Sequence, residues 1–326
     1  MTPTERTGLV LALGLLAPQA ALAQTTMQIN TSQNEGSFAH VFLQEFQERV
    51  EAELGDEIAI EIFLGNTLGE EEDVLQGLGV GTHHATLSAS AVAQINPRAA
   101  IFDLPYLFED RAAVQHFAAS EAGDMLAEGF DGTGMVLAAM WDNGFRVITN
   151  SERPIVTPSD LEGLRIRTPT NRQRVTMFNE LGANATPMSF GEVYSALDQG
   201  VIDGQENPAQ VAENDRFYEV QDYMSLSNHV YLPTFLLIGE PFLGRLDADT
   251  ATRLMEIAQE TAGWTFDWGD ETDARVVDEL ADRIEINEVD FEAFQDGAAP
   301  LYEEPIFVDA IGADMIETTL RVLDEM

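Results

Sequence analysis

Short apolar runs alternate with amphipathic stretches along most of the chain, and this alternation predicts a βαβ organisation. Met27-Gln28-Ile29-Asn30 reads as a first strand. From about Ser37, the positions Phe38, Val41, Phe42, Phe46 and Val50 fall on one face at helical spacing. Ile58, Ile60 and Ile62 alternate with small or polar residues as a second strand. Val74, Leu75 and Leu78 predict the next helix, Ala85-Thr86-Leu87 a third strand and Ala100-Ile101-Phe102 a fourth. Met135 to Met140 is apolar throughout, as a strand covered on both faces would be.

After Arg146 the pattern restarts, so a second α/β unit begins there. Leu164-Arg165-Ile166-Arg167 alternates as a strand. Met177, Phe178 and Leu181 mark a helix closed by Gly182, and Phe190, Val193, Tyr194 and Leu197 mark another closed by Gly200. Gly204-Gln205-Glu206-Asn207-Pro208 reads as a dense polar loop. Asp247 is placed to cap a very long helical pattern carrying Leu254, Ile257, Ala258, Thr261, Thr265, Trp268 and Val276 on one side. Some ~35 residues at ~1.5 Å each would span roughly 50 Å, more than one lobe, so this helix is expected to brace two. The sequence has no repeat, low-complexity tract or flexible linker, which predicts lobes joined by crossing strands.

Composition narrows the picture. The 326 residues are 45% hydrophobic, enough for two cores, and carry a formal net charge of -41 with 57 acidic residues spread along the length. That balance argues against nucleic acid or an anionic membrane as partner. Residues 1–23 read as a secretory signal: Arg6, an apolar run from Gly8 to Ala17, then Ala21-Leu22-Ala23 as an A-x-A site, with cleavage expected at Ala23-Gln24. The run is too short to span a bilayer. With no cysteine, disulfides, thiol catalysis and Cys-zinc sites are excluded. A soluble periplasmic protein is the expectation.

The charge is distributed unevenly. Six of the sixteen basic residues, Arg146, Arg153, Arg165, Arg167, Arg172 and Arg174, lie within 29 positions, and there is no lysine. A guanidinium is a planar fork that matches a carboxylate two bonds at a time, so this segment is the first candidate for an acidic ligand. Arg165 and Arg167, two apart on a strand, share a face. Each arginine faces either a ligand or one of the chain's own carboxylates. For Arg153, Arg172 and Arg174 the surface or an internal ion pair is the better reading. Asn207 offers a donor and an acceptor beside Pro208, suited either to orienting a carboxylate or to simple turn chemistry.

Signals for catalysis are poor. There is no G-x-S-x-G, H-E-x-x-H or Walker loop, and Gly77-Leu78-Gly79-Val80-Gly81 fails dinucleotide spacing. His83-His84 would point to opposite faces of a strand, and Glu70-Glu71-Glu72-Asp73 lacks the EF-hand pattern. Neither a cofactor nor a metal is expected.

Longer segments are specific enough to carry a family resemblance. Trp141-Asp142-Asn143-Gly144-Phe145-Arg146, the block from Asp160 to Pro169, the block from Leu181 to Leu197, and Asp203-Gly204-Gln205-Glu206-Asn207-Pro208 together resemble the DctP-type solute-binding proteins of tripartite ATP-independent periplasmic (TRAP) transporters. Leu104-Pro105-Tyr106-Leu107-Phe108 and Ser227-Asn228-His229 continue the likeness. The resemblance implies a two-lobed α/β, periplasmic-binding-protein-like fold of the type II kind, closing on a carboxylate-bearing solute, with a long helix spanning both lobes. It implies a division into residues 24–145 with 233–283, and 146–232 with 284–326. It implies that Arg167 makes the bidentate carboxylate bond, with Arg146 assisting across the cleft, and that Phe190 and Asn207 line the site. Glu71, Ser88 and Ser90 of the first lobe and Trp141 near the boundary are the expected second jaw, and His229 is a further candidate. Some sialic-acid-binding members carry a Glu after the third strand, where this chain has Ser88-Ala89-Ser90.

The expected function is therefore a monomeric, non-enzymatic periplasmic receptor that delivers a small organic acid, a C4-dicarboxylate or a sugar acid, to TRAP membrane permease subunits. Two other readings stay open: a ligand-sensing subunit for a signalling receptor, and an exported hydrolase or lyase using His229 and Asp203 as acid and base.

Overall fold

The computed structural model describes residues 24–326, and the expected signal segment, residues 1–23, lies outside the described residues. Among the described residues, eleven strands form two sheets. The first contains β1 (Thr25–Asn30), β2 (Ile58–Phe63), β3 (Ala85–Ser88), β4 (Met135–Trp141) and β10 (Thr234–Gly239) in the order β2-β1-β3-β10-β4. Strands β1, β2 and β3 run parallel, and β10 is antiparallel to both its neighbours. The second sheet contains β5 (Arg146–Asn150), β6 (Arg165–Thr168), β7 (Asn184–Pro187), β8 (Gly204–Pro208), β9 (Tyr223–Leu226) and β11 (Glu285–Glu288) in the order β11-β9-β5-β8-β6-β7.

Four helices matter most to the site. The first, α1 (Phe38–Leu54), starts where the Ser37 side chain accepts from His40 N, and buries Phe38, Phe42, Phe46 and Val50 at i, i+4 spacing. The second, α2 (Glu71–Val80), ends on Gly81, whose φ of 80° is one that a side chain would resist. The third, α3 (Arg172–Glu180), is capped by Asn171. The fourth, α4 (Ala248–Leu280), is 33 residues long, and the Asp247 side chain accepts from Asp249 N and Thr250 N. It packs on β4 and α1 beside the first sheet, while its Asp273 accepts from Gln210 Nε2, just beyond β8, at 2.6 Å.

The chain crosses between the sheets at 142–145 and again at 227–233. The two crossings hold each other: Phe145 bridges Tyr231, and Arg146 N donates to Val230 O at 3.0 Å. A third passage follows α4. There β11 joins the second sheet, whereas the terminal helix Ala313–Asp324 packs against helices Arg111–Ala118 and Glu121–Glu128, which precede β4. Segment 284–326, expected wholly in the second lobe, therefore divides between the two.

Two local expectations fail. Ala100-Ile101-Phe102 is no strand but part of a 3₁₀ helix, Pro97–Asp103, with Pro97 in its first turn and the Asn96 side chain accepting from Arg98 N. A short apolar run buried on every side has no periodicity to separate the two forms. The polar loop 204–208 is instead β8, a central strand buried along its whole length. Gln205 donates to Thr149 Oγ1, and Glu206 and Asn207 accept from Arg146, side chains from a strand distant in sequence that local polarity does not reveal.

Candidate functional site

A cavity of about 50 Å³ lies between the two sheets, outside the carboxyl ends of β1 and β3 on one side and of β6 and β8 on the other. Strand ends in open α/β sheets leave such crevices, because the chain turns away there into helices. The first side supplies Thr31, Ser32, Glu71, Ser88 and Ser90; the second supplies Arg146, Arg167, Pro169, Phe190 and Asn207. A smaller pocket of about 20 Å³ adjoins it and shares Ser32, Glu71, Ser90, Arg167 and Phe190.

Arg167 is 3% exposed, and both its Nε and Nη2 donate to the Met188 carbonyl, at 3.1 and 2.7 Å. Among the described residues it has no carboxylate partner. Its Cζ lies 5.9 Å from the centre of the Phe190 ring, which covers one face of the guanidinium. Burial pulls its pKa down to about 10, against opposing attraction from Glu206 and Glu71, so it stays charged at neutral pH.

The other arginines of the cluster separate sharply. Arg146 lines the cavity, but its guanidinium forks onto the Glu206 carboxylate and also donates to Asn207 Oδ1 at 2.9 Å. It stands on β5, in the same sheet as Arg167 on β6, so the two act from one side and not across the cleft. Arg174 is completely buried, donating to Asp103 Oδ1 at 2.6 Å and Glu206 Oε2 at 2.7 Å. It is an ion-paired residue with no surface character. Arg165 is exposed and paired with Asp203 at the start of β6. Arg153 donates to the Asp160 and Glu162 carbonyls, and Arg172 is exposed.

Glu206 is the centre of the buried network. Burial opposes its ionisation, yet Arg146 and Arg174 overcome this and hold its carboxyl well below the usual range. His229 completes the group, with Nε2 3.2 Å from Glu206 Oε2 and Nδ1 2.8 Å from Ser227 Oγ. Burial pulls His229 down to about 4, so the ring is neutral, with Nε2–H donating to the carboxylate and Nδ1 accepting from the serine.

Two expected site residues stand elsewhere. Trp141 is fully buried in the core against Phe42 and Phe46, with Nε1 donating to the Ala258 carbonyl on α4 at 3.0 Å, and it does not line the cavity. His229 also stops short of the cavity, behind Glu206. The proposed acid and base, His229 and Asp203, are not brought together: one is buried against Glu206, and the other is bound to Arg165 at a solvent-facing strand end. Glu71, Ser88, Ser90, Phe190 and Asn207 do line the cavity. Sequence reasoning missed Thr31, Ser32 and Asn143 as lining and Glu206 with Asp103 as support. Glu206, next to Asn207 in a polar segment with no surface to explain it, was the one of these with a signal.

Two sheets joined by three passages, with a cleft between strand ends and a buried cation turned toward it, define a two-lobed solute-binding protein. The chain belongs to the DctP family, bacterial extracellular solute-binding protein family 7, whose model matches residues 29–307. It is 35% identical over 283 residues to a solute-binding protein of Verminephrobacter eiseniae, covering 85% of this chain and 84% of that one. It is 30% identical over 311 residues to the 2,3-diketo-L-gulonate-binding periplasmic protein YiaO of Escherichia coli, covering 94% of each. Among solved structures, the sugar acid binding protein DctPAm of Advenella mimigardefordensis, in complex with galactonate, superposes with a TM-score of 0.88 at 26% identity, covering 93% of this chain and 98% of that one. The family is one of extracellular solute-binding proteins, and YiaO is named as a periplasmic one.

Proposed function

We propose that this chain is the periplasmic receptor of a TRAP transporter, exported by residues 1–23 and cleaved at Ala23-Gln24. It captures a small organic acid between its lobes and hands it to membrane permease subunits. The observation that carries this reading is Arg167: a buried guanidinium at the cavity wall, donating only to a backbone carbonyl, when every other buried arginine here has a carboxylate. A ligand carboxylate is the natural complement, because an ion enclosed without a partner is costly. The names of YiaO and of the galactonate complex support an organic acid.

The cavity lies between the two sheets and is lined from both, so an acid held there is enclosed when the lobes close on it. Closure follows only if the ligand contacts both sides, as the lining allows. The test is a thermal-shift panel on residues 24–326 with aldonates, uronates, keto acids, dicarboxylates, neutral sugars and amines. A ligand at ~100 times its Kd adds about 2.7 kcal/mol of apparent stability. An acid should raise the melting point and be recovered unchanged by mass spectrometry. A shift by neutral sugars or amines alone, or conversion of the acid, overturns the reading.

A further inference from the structure

The wall opposite Arg167 differs in kind from the wall that holds it. Thr31, Ser32, Ser88 and Ser90 present hydroxyls there, Gln33 an amide and Glu71 a carboxylate; both cations of the lining, Arg146 and Arg167, stand on the other side. Glu71 begins α2 and leans into the cavity. Its Oε1 accepts from Ser32 Oγ at 3.3 Å and Ser88 Oγ at 3.2 Å, while Oε2 has no protein donor among the described residues. One acceptor oxygen is thus left for whatever enters.

The enclosed charges are also in balance. The guanidiniums of Arg146, Arg167 and Arg174 are matched in number by the carboxylates of Asp103, Glu206 and Glu71. A ligand carboxylate on Arg167 adds one negative charge. A second carboxylate, at the far end of a short diacid, would meet Glu71 with no cation to separate them, and like charges in a low-dielectric site repel strongly. A hydroxyl in that place would donate to Glu71 Oε2 and exchange bonds with the serines and Thr31.

Resting on the organic-acid reading above, we infer that the solute is a monocarboxylate bearing hydroxyls at the end remote from its carboxylate, and that Glu71 selects it by rejecting a second carboxylate. This separates hydroxylated sugar acids from C4-dicarboxylates. A site built to accept from a hydroxyl discriminates against a ligand lacking it far better than an apolar pocket discriminates by size.

Burial, reinforced by Glu72, raises the Glu71 carboxyl above its ordinary value, and a protonated Glu71 would become a donor. The test is therefore run at pH 8, which favours its ionised form over the protonated one. Calorimetry on residues 24–326 compares D-galactonate and D-galacturonate with succinate and L-malate. The hydroxylated monoacids should bind at least 100-fold more tightly. In Glu71→Gln, that preference should shrink at least tenfold, while Glu71→Asp, which keeps the charge, should retain most of it.

Tighter binding of succinate or malate by the wild type overturns the inference and leaves the carboxylate reading standing. A preference unchanged in Glu71→Gln removes Glu71 from the selection. Failure of every acid to bind overturns both proposals. Because the wild-type panel decides the ligand class alone, the inference stays exposed even if Glu71→Gln folds poorly.

Discussion

The guanidinium of Arg167 donates twice to the Met188 carbonyl, at 3.1 and 2.7 Å, and this fixes the plane of the fork without consuming its charge. A backbone carbonyl aims the side chain and leaves it electrostatically hungry, whereas a carboxylate would have neutralised it. Arg167→Ala should therefore abolish acid binding, at a cost of order 3–5 kcal/mol, or more than a hundredfold in Kd. Its melting temperature should equal or exceed that of the wild type, since a poorly compensated buried charge has been removed. Calorimetry and a thermal melt check the two halves separately.

Glu206 behaves in the opposite way. Its carboxylate receives Arg146, Arg174 and His229, so Glu206→Gln leaves two buried guanidiniums to share one remaining carboxylate, Asp103. Breaking such a pair costs about 3–5 kcal/mol. At ~2–4 °C per kcal/mol for a chain approaching this size, the melting temperature should fall by roughly 10 °C. A melt of Glu206→Gln within 2 °C of wild type would refute the supporting role.

His229 makes stability depend on pH. Its folded pKa of about 4 lies below the ordinary value near 6.5, so between those limits the unfolded chain takes up a proton that the folded one refuses. Stability from this group is complete above about pH 6.5 and is lost as pH falls toward 4. Glu71, Asp103 and Asp142 titrate with raised values and oppose the trend, so the measurement is a difference. The stability of wild type minus that of His229→Gln, from urea unfolding, should decline by up to about 3 kcal/mol from pH 7 to pH 4.

The two sides of the cleft touch through a few exposed hydrogen bonds. Thr170 Oγ1, just past β6, donates to Glu72 Oε1 at 2.8 Å and accepts from Gln94 Nε2 at 3.0 Å. On another rim, Asn34 Nδ2 donates to Asp215 Oδ1 at 2.7 Å. Such bonds contribute about 1 kcal/mol each and exist only when the sides meet. Thr170→Val and Asn34→Ala should each speed ligand release by up to about tenfold, with little change in association rate, as stopped-flow fluorescence would show. Faster release must come without a lower melting temperature of the unliganded protein by more than a few degrees.

Arg165→Ala is the control. Its charge is already met by Asp203 at a solvent-facing position, so calorimetry should show unchanged binding and a thermal melt an essentially unchanged melting temperature.

Periodicity alone revealed most of the elements. The Phe38–Val50 stripe, the Ile58–Ile62 alternation and the Asp247-capped helix all reappear, because each pattern is set by neighbours within a few turns. Resemblance added the family and pointed to Arg167, Asn207 and the first-lobe hydroxyls as lining. Together they set Arg167 apart and put Arg153, Arg172 and Arg174 at the surface or in ion pairs, but they did not choose between those two fates or name a partner. Arg165 and Arg167 share a strand face, yet one ends in solvent beside Asp203 and the other under Phe190. Arg174, for which the surface and an internal ion pair were both open, is sealed between Asp103 and Glu206.

What the sequence determined by itself is therefore the local order: strands, helices, caps, the restart near Arg146 and a shortage of positive charge collected in one segment. What only the tertiary structure decided is which of those charges is spoken for. An ion pair depends on carboxylates far along the chain, 71 residues away for Asp103 and Arg174, and their approach is fixed by how two sheets and a 33-residue helix pack. The same packing buried a polar strand and withdrew Trp141 from the cleft. It also left Arg167, of all the buried arginines, aimed by a carbonyl and still without a partner of opposite charge among the described residues.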